Sequence, residues 1–240
     1  EALRLAKNDY SGGVKIVACL GDPALMLAMP KPQVKLTKVN DVPISQPIDD
    51  FKALSYIKIN GEVNDENGTF LSTYNGEVAI QIYDKEIVRT TLNNDSNNSI
   101  LNFNTLGETI FRGNATVVNG NFEFGFVVPR DIAIAVGNGK MSFYAKRNNI
   151  LLDKTGYDTT IKIGGVNLNA PTDNTAPTVK LYMNDKTFIS GGITNESPIF
   201  LAFLEDENGI NTASGIGHDI IAILDGDETN PIKLNDYYET

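Results

Sequence analysis

Two residues of this sequence, Cys19 and His218, could form a nucleophile and its general base. A cysteine attacks as the thiolate and needs a base within hydrogen-bonding reach. Cys19, however, lies inside the apolar run VKIVACL (residues 14–20), where a thiol stays protonated and inert. His218 stands beside Asp219 in a glycine-rich bend, so it could be an oriented base or a metal ligand, but a turn histidine is the simpler interpretation. We therefore predict no catalytic residue in this chain.

Carboxylates offer a second kind of chemistry. Asp22, in Gly21-Asp22-Pro23, could serve a neighbouring active site, although a tight turn explains it more simply. Acidic clusters at Asn64–Gly68, Glu205–Asn208 and Asp225–Asp227 could supply oxygen ligands to calcium. None has the spacing of a helix-loop-helix calcium loop, so solvated turns are favoured. We predict no cofactor, with calcium kept as an alternative.

Charge and composition exclude several classes of function. The 240 residues carry a net charge of −10, which argues against nucleic-acid binding. One cysteine allows no internal disulfide, and no apolar run is long enough to span a bilayer. Many Asn, Asp, Gly and Thr residues favour short strands joined by polar turns, and we expect an extracytoplasmic location. The sequence starts at Glu1 without a methionine, and we expect a piece of a larger protein.

The first 33 residues differ in pattern from the rest. Residues 1–9 are helix formers, Gly12-Gly13 ends that helix, and residues 14–20 predict a strand buried on both faces. Pro30 and Pro32 close the segment. We interpret residues 1–33 as the end of an α/β domain.

Residues 34–170 predict a β-sandwich. Apolar residues alternate with polar ones, for example at Phe122, Phe124 and Phe126. Four Asn-Gly pairs predict the turns between strands, because both residues tolerate positive φ. They are Asn60-Gly61, Asn67-Gly68, Asn75-Gly76 and Asn119-Gly120. The last pair predicts a hairpin between residues 116–118 and 122–128.

A linker at residues 164–177, rich in glycine and then proline, leads to a second β region. Residues 178–183, 199–204 and 220–224 predict strands there. Residues 176–240 are too few for a full Ig-type sandwich, so we predict a partial one. The predicted fold class is mainly β, with tandem Ig-like β-sandwiches after the terminal helix and strand of an α/β domain.

Several longer motifs carry a family resemblance. CLGDPALMLAMPKP (residues 19–32) resembles the exit from the peptidase domain in the gingipain family of cysteine peptidases. NGEVAIQIYDK (75–85), NGNFEFGFVVPRDI (119–132), LYMND (181–185), LEDENGINTASGIGHDIIAILDGD (204–227) and LNDYYE (234–239) are similar to gingipain-like sortases of the Bacteroidetes type IX secretion system. The resemblance covers nearly the whole chain.

The resemblance implies a cell-surface, outer-membrane-associated parent protein that is a cysteine endopeptidase and sortase. Such a parent would remove the C-terminal secretion signals of cargo proteins. Its implied partners are a PorV-like outer-membrane β-barrel and the C-terminal signal domains of cargo. The family places its catalytic His and Cys, in that order, before the segment at residue 21. Cys19 and His218 stand in reverse order and match neither motif, so no catalytic residue carries over.

Three hypotheses follow. The leading one is a non-catalytic accessory region that scaffolds the peptidase or docks its partners. A second is a self-sufficient hydrolase that uses Cys19 and His218, which an alkylator-sensitive peptidase assay would reveal. The third is an adhesin-like β-sandwich module that binds carbohydrate or calcium, suggested by Tyr237, Tyr238 and the acidic turns.

Overall fold

The computed structural model describes residues 31–94, 100–212 and 219–239. Within these ranges there is no α-helix, and a single 3-10 turn covers Asn235–Tyr237. The strands, numbered in chain order, are β1 Val34–Val39, β2 Val42–Pro43, β3 Phe51–Ala53, β4 Tyr56–Val63, β5 Gly76–Tyr83, β6 Ile87–Thr90, β7 Asn102–Thr105, β8 Thr109–Val117, β9 Asn121–Val127, β10 Gly137–Asn138, β11 Lys140–Arg147, β12 Asp153–Asp158, β13 Lys162–Val166, β14 Thr178–Met183, β15 Phe200–Glu205, β16 Ile221–Ala222 and β17 Ile232–Lys233. The predicted mainly β class is confirmed. The predicted helix and strand of the first 20 residues lie outside the described residues.

Two four-stranded antiparallel sheets build the main body. One has the strand order β2-β1-β4-β9 and the other β12-β11-β5-β8. Residues alternate between buried and more exposed along the central strands, so Ile57 and Ile59 of β4 and Val78 and Ile80 of β5 point into the core. This period of two matches the alternation in the sequence, because successive side chains of a strand point to opposite faces. The fold is a β-sandwich.

Phenylalanines join the two sheets across the core. Phe111 of β8 stacks on Phe124 of β9, with ring centroids 5.3 Å apart, and lies tilted against Phe126, with centroids 4.8 Å apart. The ring of Phe122 lies tilted against that of Phe143 of β11, with centroids 5.8 Å apart. Each such ring contributes roughly 2 kcal/mol through its burial alone. The alternating phenylalanines of β9 thus each contact a ring of the opposite sheet.

The turn at Asn119-Gly120 forms as predicted, but the hairpin prediction is wrong in its strand pairing. Both residues have positive φ, +50° and +79°. The N–H of Val118 donates to the carbonyl oxygen of Asn121 at 2.8 Å, and pairing stops there. Beyond the turn β8 pairs with β5, and β9 pairs with β4. The turn therefore carries the chain from one sheet to the other.

The prediction of a turn at Asn60-Gly61 is wrong. Both residues lie inside β4, where Gly61 is paired with Phe122. A Cβ at residue 61 would stand 2.1 Å from the Phe122 ring, so glycine is present to make room for that ring. The Asn67-Gly68 turn does form, since Gly68 has a φ of +85°.

A smaller sheet, β10-β13-β3, covers one end of the sandwich. Lys85, just after β5, holds this sheet and the loop before β10 together. Its ammonium group donates to the carbonyl oxygens of Ala133 at 3.0 Å and Ile163 at 3.1 Å, and it pairs with Asp84 at 2.5 Å. The Asp84 carboxylate also accepts the N–H of Ala133 at 3.2 Å. Lys85 and Asp84 bind each other and nearby backbone groups. We therefore interpret this ion pair as structural.

Beyond residue 177 the chain forms two small antiparallel pairs, β14-β15 and β16-β17. The predicted strand at residues 178–183 is exact, and the one at residues 199–204 is displaced by one residue. The predicted strand at residues 220–224 shortens to Ile221–Ala222. The division into domains at residues 34–170 and 176–240 stays a prediction.

The last described residues return to the sandwich. The N–H of Asn114, on edge strand β8, donates to the carbonyl oxygen of Tyr238 at 2.7 Å. The Asn114 side chain donates to the carbonyl oxygen of Asp236 at 2.9 Å, and Arg112 forms an ion pair with Asp236. This segment covers part of a strand edge that would otherwise offer unpaired backbone groups.

Candidate docking surfaces

The residues with catalytic potential lie outside the described part of the chain. Cys19 and Asp22 precede residue 31, and His218 falls in the gap at residues 213–218. Because the sequence has one cysteine and one histidine, the described residues contain neither. The predicted absence of catalytic residues stays a prediction.

The acidic turns bind their own backbone. One carboxylate oxygen of Asp65 accepts the N–H groups of Asn67 and Thr69, both at 2.8 Å. The bond from Thr69 is the largest cause that holds the pKa of Asp65 below its usual value. Asp206 accepts the N–H of Asn208 at 2.8 Å in the same way. These are Asx turns, in which a side chain caps the chain two residues on.

The third acidic turn has the same construction. Asp227 accepts the amide of Asn230 at 2.7 Å and the N–H of Thr229 at 3.0 Å. These hydrogen bonds, the one from Asn230 first, lower the pKa of Asp227. Within residues 31–94, 100–212 and 219–239, no group of three or more His, Cys, Asp or Glu side chains could hold a metal ion. The carboxylates therefore act as local caps in this part of the chain.

The two tyrosines near the C-terminus have different environments. Tyr237 is 76% exposed. Tyr238 packs against the sandwich core, and burial raises the pKa of its phenol. The pair does not form the exposed aromatic platform that the carbohydrate hypothesis would use, because only Tyr237 faces solvent.

A two-stranded hairpin with exposed apolar side chains stands apart from the two main sheets. Strands β6 and β7 pair from Ile87 with Thr105 to Thr90 with Asn102, and with no other strand of the described residues. The side chains left in solvent are Val88, Leu92, Ile100, Leu101 and Phe103. An isolated two-stranded ribbon is marginally stable in water, so this hairpin arm is a candidate contact element.

The β14-β15 pair has an apolar face. Val179 and Leu181 of β14 are 54% and 57% exposed, and they lie on the same face as Ala202 and Phe200 of β15. Exposed contiguous apolar patches of this kind mark interaction surfaces more often than isolated apolar residues do.

A groove runs along β15. It is lined by residues 200–204 and by Ile220, Leu234, Tyr237, Tyr238 and Glu239. Its volume is about 480 Å³. We call this the β15 groove. Most of the described residues that line it are apolar or aromatic, and Glu239 is the one among them that is charged.

Comparison with known proteins shows which protein this chain is similar to. No family model matches the chain, and no curated protein matches it. The crystal structure of dimeric latent PorU from Porphyromonas gingivalis matches 91% of this chain, with 30% sequence identity and a TM-score of 0.58. This chain is PorU-like. The resemblance carried by motifs such as residues 119–132 and 204–227 is thereby confirmed. The chain spans 21% of the PorU chain.

A second solved structure is the sporulation control protein Spo0M from Bacillus subtilis. It matches 55% of this chain at 13% identity, with a TM-score of 0.33.

No helix in the described residues of this chain is long and apolar enough to cross a membrane.

Sequence reasoning missed the hairpin arm and the β15 groove. The arm has a signal, because Ile87-Val88 and Ile100-Leu101 flank a run of seven Asn, Asp and Ser residues at 93–99. Such a pattern predicts a hairpin with a polar tip. The groove has no local signal, since its walls come from segments about 20 to 40 residues apart in the sequence.

Proposed function

We propose that this chain is a non-catalytic accessory region of a cell-surface, gingipain-like cysteine peptidase and sortase that processes the C-terminal secretion signals of type IX cargo. The observation that carries the proposal is the PorU match, which extends over 91% of this chain. In this proposal the chain scaffolds the catalytic domain and docks its partners. The partners are a PorV-like outer-membrane β-barrel and the signal domains of cargo.

Exposed apolar surfaces support a docking role. The hairpin arm and the β14-β15 face leave side chains such as Val88 and Leu181 in solvent. Such side chains lose contact with water when a partner covers them, which favours association. The acidic surface, with a net charge of −10, keeps the protein soluble while these patches are open.

A pull-down tests the proposal. The immobilised 240-residue chain is incubated separately with a purified PorV-like barrel and with a cargo C-terminal signal domain. We expect capture of at least one of them. Substituting Leu181→Glu or Val88→Glu, each at an exposed position, maps the contact. Failure to capture either partner would leave only a scaffolding role and would refute docking.

A peptidase assay tests the non-catalytic part of the proposal. We expect no turnover of a cargo-derived peptide that spans the signal junction. Turnover that a thiol alkylator abolishes would assign catalysis to Cys19 and contradict the proposal.

A further inference from the structure

The tetrapeptide Asp-Glu-Asn-Gly occurs twice in the sequence, at residues 65–68 and 206–209. Both copies fold into the same turn. In each copy the aspartate side chain accepts the N–H of the asparagine at 2.8 Å. The aspartate carbonyl oxygen accepts the N–H of the glycine, at 3.1 Å in the first copy and 3.2 Å in the second. Gly68 and Gly209 both have positive φ, +85° and +89°. The two copies are therefore matched in local sequence and local geometry.

An asparagine that precedes glycine can lose its side-chain amide without an enzyme. The backbone nitrogen of the glycine attacks Cγ of the asparagine, and the side-chain nitrogen leaves as ammonia with the proton of the attacking N–H. The product is a five-membered succinimide ring. Water then opens the ring: attack at Cγ gives aspartate, and attack at the backbone carbonyl carbon gives isoaspartate, whose main chain runs through the former side chain. Glycine favours the first step because it has no Cβ to shield its nitrogen.

Tertiary packing separates the two copies. Asn67 and Gly68 are exposed, and the nearest atom that a Cβ at Gly68 would meet is Nζ of Lys35, at 3.6 Å, the end of a flexible side chain. The second copy lies against β9. Asn208 is partly buried, and a Cβ at Gly209 would stand 2.4 Å from Cγ2 of Val127. Ring closure requires the turn to open and the asparagine side chain to swing toward the glycine nitrogen. An exposed turn opens at a lower free-energy cost than a packed one.

The four other Asn-Gly pairs of the sequence are held more firmly. Their glycines are all buried: Gly61, Gly76, Gly120 and Gly139. Gly61 and Gly76 lie in β4 and β5, and each is paired with a strand on both sides. The N–H of Gly120 donates to the carbonyl oxygen of Tyr74 at 2.7 Å. At these four positions the glycine nitrogen cannot reach Cγ without disturbing the sandwich.

We propose that Asn67 is a site of spontaneous deamidation in the folded protein, and that packing on β9 protects Asn208 in the second copy of the tetrapeptide. Each event adds a negative charge to a turn that already holds Asp65 and Glu66. The isoaspartate form also lengthens the main chain by a methylene group inside a turn that its hydrogen bonds close. Water is the one co-reactant, and it reaches an exposed turn. This assignment does not depend on the proposed docking function.

The test follows both asparagines in the full 240-residue chain. The folded protein is kept at mildly alkaline pH, sampled over time and digested in acid, where further deamidation is slow. Mass spectrometry of the peptides then gives the deamidated fraction at each position. We expect product to accumulate at Asn67 and to form at least about tenfold more slowly at Asn208. In guanidinium chloride, where only the shared local sequence counts, the two rates should differ by less than about twofold.

Two variants assign the difference to packing. Val127→Ala removes the methyl groups that Gly209 lies against, so deamidation at Asn208 should become at least about threefold faster while Asn67 keeps its rate. Asn67→Gln would have to close a larger ring, and it should remove most of the acidic species that ion-exchange chromatography separates from the aged native chain. Circular dichroism checks that both variants keep their β-structure.

The remaining outcomes overturn the inference. Absence of product at Asn67 in the folded chain would show that its turn stays closed and would refute the site. Equal rates at Asn67 and Asn208 in the folded chain would show that packing protects neither. An unchanged rate at Asn208 in Val127→Ala would remove β9 as the source of protection.

Discussion

The backbone N–H of Asn114 donates to the carbonyl oxygen of Tyr238, across 2.7 Å and 124 positions of sequence. This bond attaches the end of the described chain to the edge strand of the sandwich. Two residues earlier on β8, the N–H of Arg112 faces the same edge and donates to the hydroxyl oxygen of Thr212 at 3.5 Å. The C-terminal segment and Thr212 therefore together take the place of a neighbouring strand along part of the edge of β8.

Replacing Asn114 with alanine should loosen this attachment. The Asn114→Ala variant keeps the backbone bond to Tyr238 but loses the side-chain bond to the carbonyl oxygen of Asp236, which spans 2.9 Å. Since Asn114 is buried, we expect the free energy of unfolding to fall by about 1 kcal/mol in chemical denaturation. Thr116→Ala, at an exposed position on the same strand, is the control and should change stability much less. Equal losses in the two variants would contradict the proposed tie.

A second prediction concerns the close approach of Gly61 and Phe122. Gly61→Ala puts a methyl group where the Phe122 ring lies, and we expect a loss of about 1–3 kcal/mol from overpacking. Phe122→Leu shortens the opposing side chain. In that background the Gly61→Ala substitution should cost clearly less, which a double-mutant cycle measures through denaturant unfolding. Additive losses would mean that the two residues do not compete for the same space.

Local patterns predict much of this fold. The alternation of Phe122, Phe124 and Phe126 gives the correct buried face, because side-chain direction depends only on strand geometry. Asn119-Gly120 gives the correct turn for the same local reason. The partners of β8 and β9 are not local properties, and the turn alone cannot say that the two strands enter different sheets.

The wrong turn at Asn60-Gly61 has a related cause. An Asn-Gly pair permits positive φ but does not require it. Here Gly61 lies in a strand and leaves space for the ring of Phe122, which belongs to a strand about 60 residues away. The β15 groove shows the same limit, since Phe203 and Leu234 meet across it only after the chain has folded. Tyr238 likewise stands in a polar stretch of sequence, which predicts an exposed side chain. In the fold it packs against the core.

The Asx turn at Asp65 predicts an acid-dependent loss of stability. Hydrogen bonds from the backbone of Thr69 and Asn67 hold the pKa of Asp65 below its ordinary value of 3.8. A carboxylate with a lowered pKa in the folded state stabilises the protein above the unfolded pKa, and this contribution is lost as the pH falls through the folded pKa.

Asp65→Asn keeps the acceptor oxygen and removes the titration. We therefore expect the melting temperature of the native chain to exceed that of Asp65→Asn at neutral pH, and the gap to shrink as the pH falls below 3.8. Thermal unfolding followed by circular dichroism across this range measures the gap. A gap that does not change with pH would show that the charge of Asp65 is not what stabilises the turn.

The buried phenol of Tyr74 predicts a loss of stability at high pH. Its phenol lies in the core and donates to the carbonyl oxygen of Leu152 at 3.3 Å. Burial, with a smaller effect of the nearby Asp153 charge, raises the pKa of Tyr74 from 10.0 to about 12. The folded state then holds this proton more tightly than the unfolded state does. The contribution is fully present below pH 10.0 and is lost as the pH rises toward about 12.

Tyr74→Phe removes both the ionisable group and the hydrogen bond to Leu152. At neutral pH we expect this variant to lose about 1 kcal/mol, the usual worth of a hydrogen bond. Above pH 10.0 the native chain should lose stability faster than the variant, so the difference between them should narrow. Tyr237→Phe, which alters an exposed phenol, is the control and should match the native chain at neutral pH. Parallel alkaline curves for the native chain and Tyr74→Phe would contradict the assignment, because they would mean that Tyr74 ionises equally well in the folded and unfolded states.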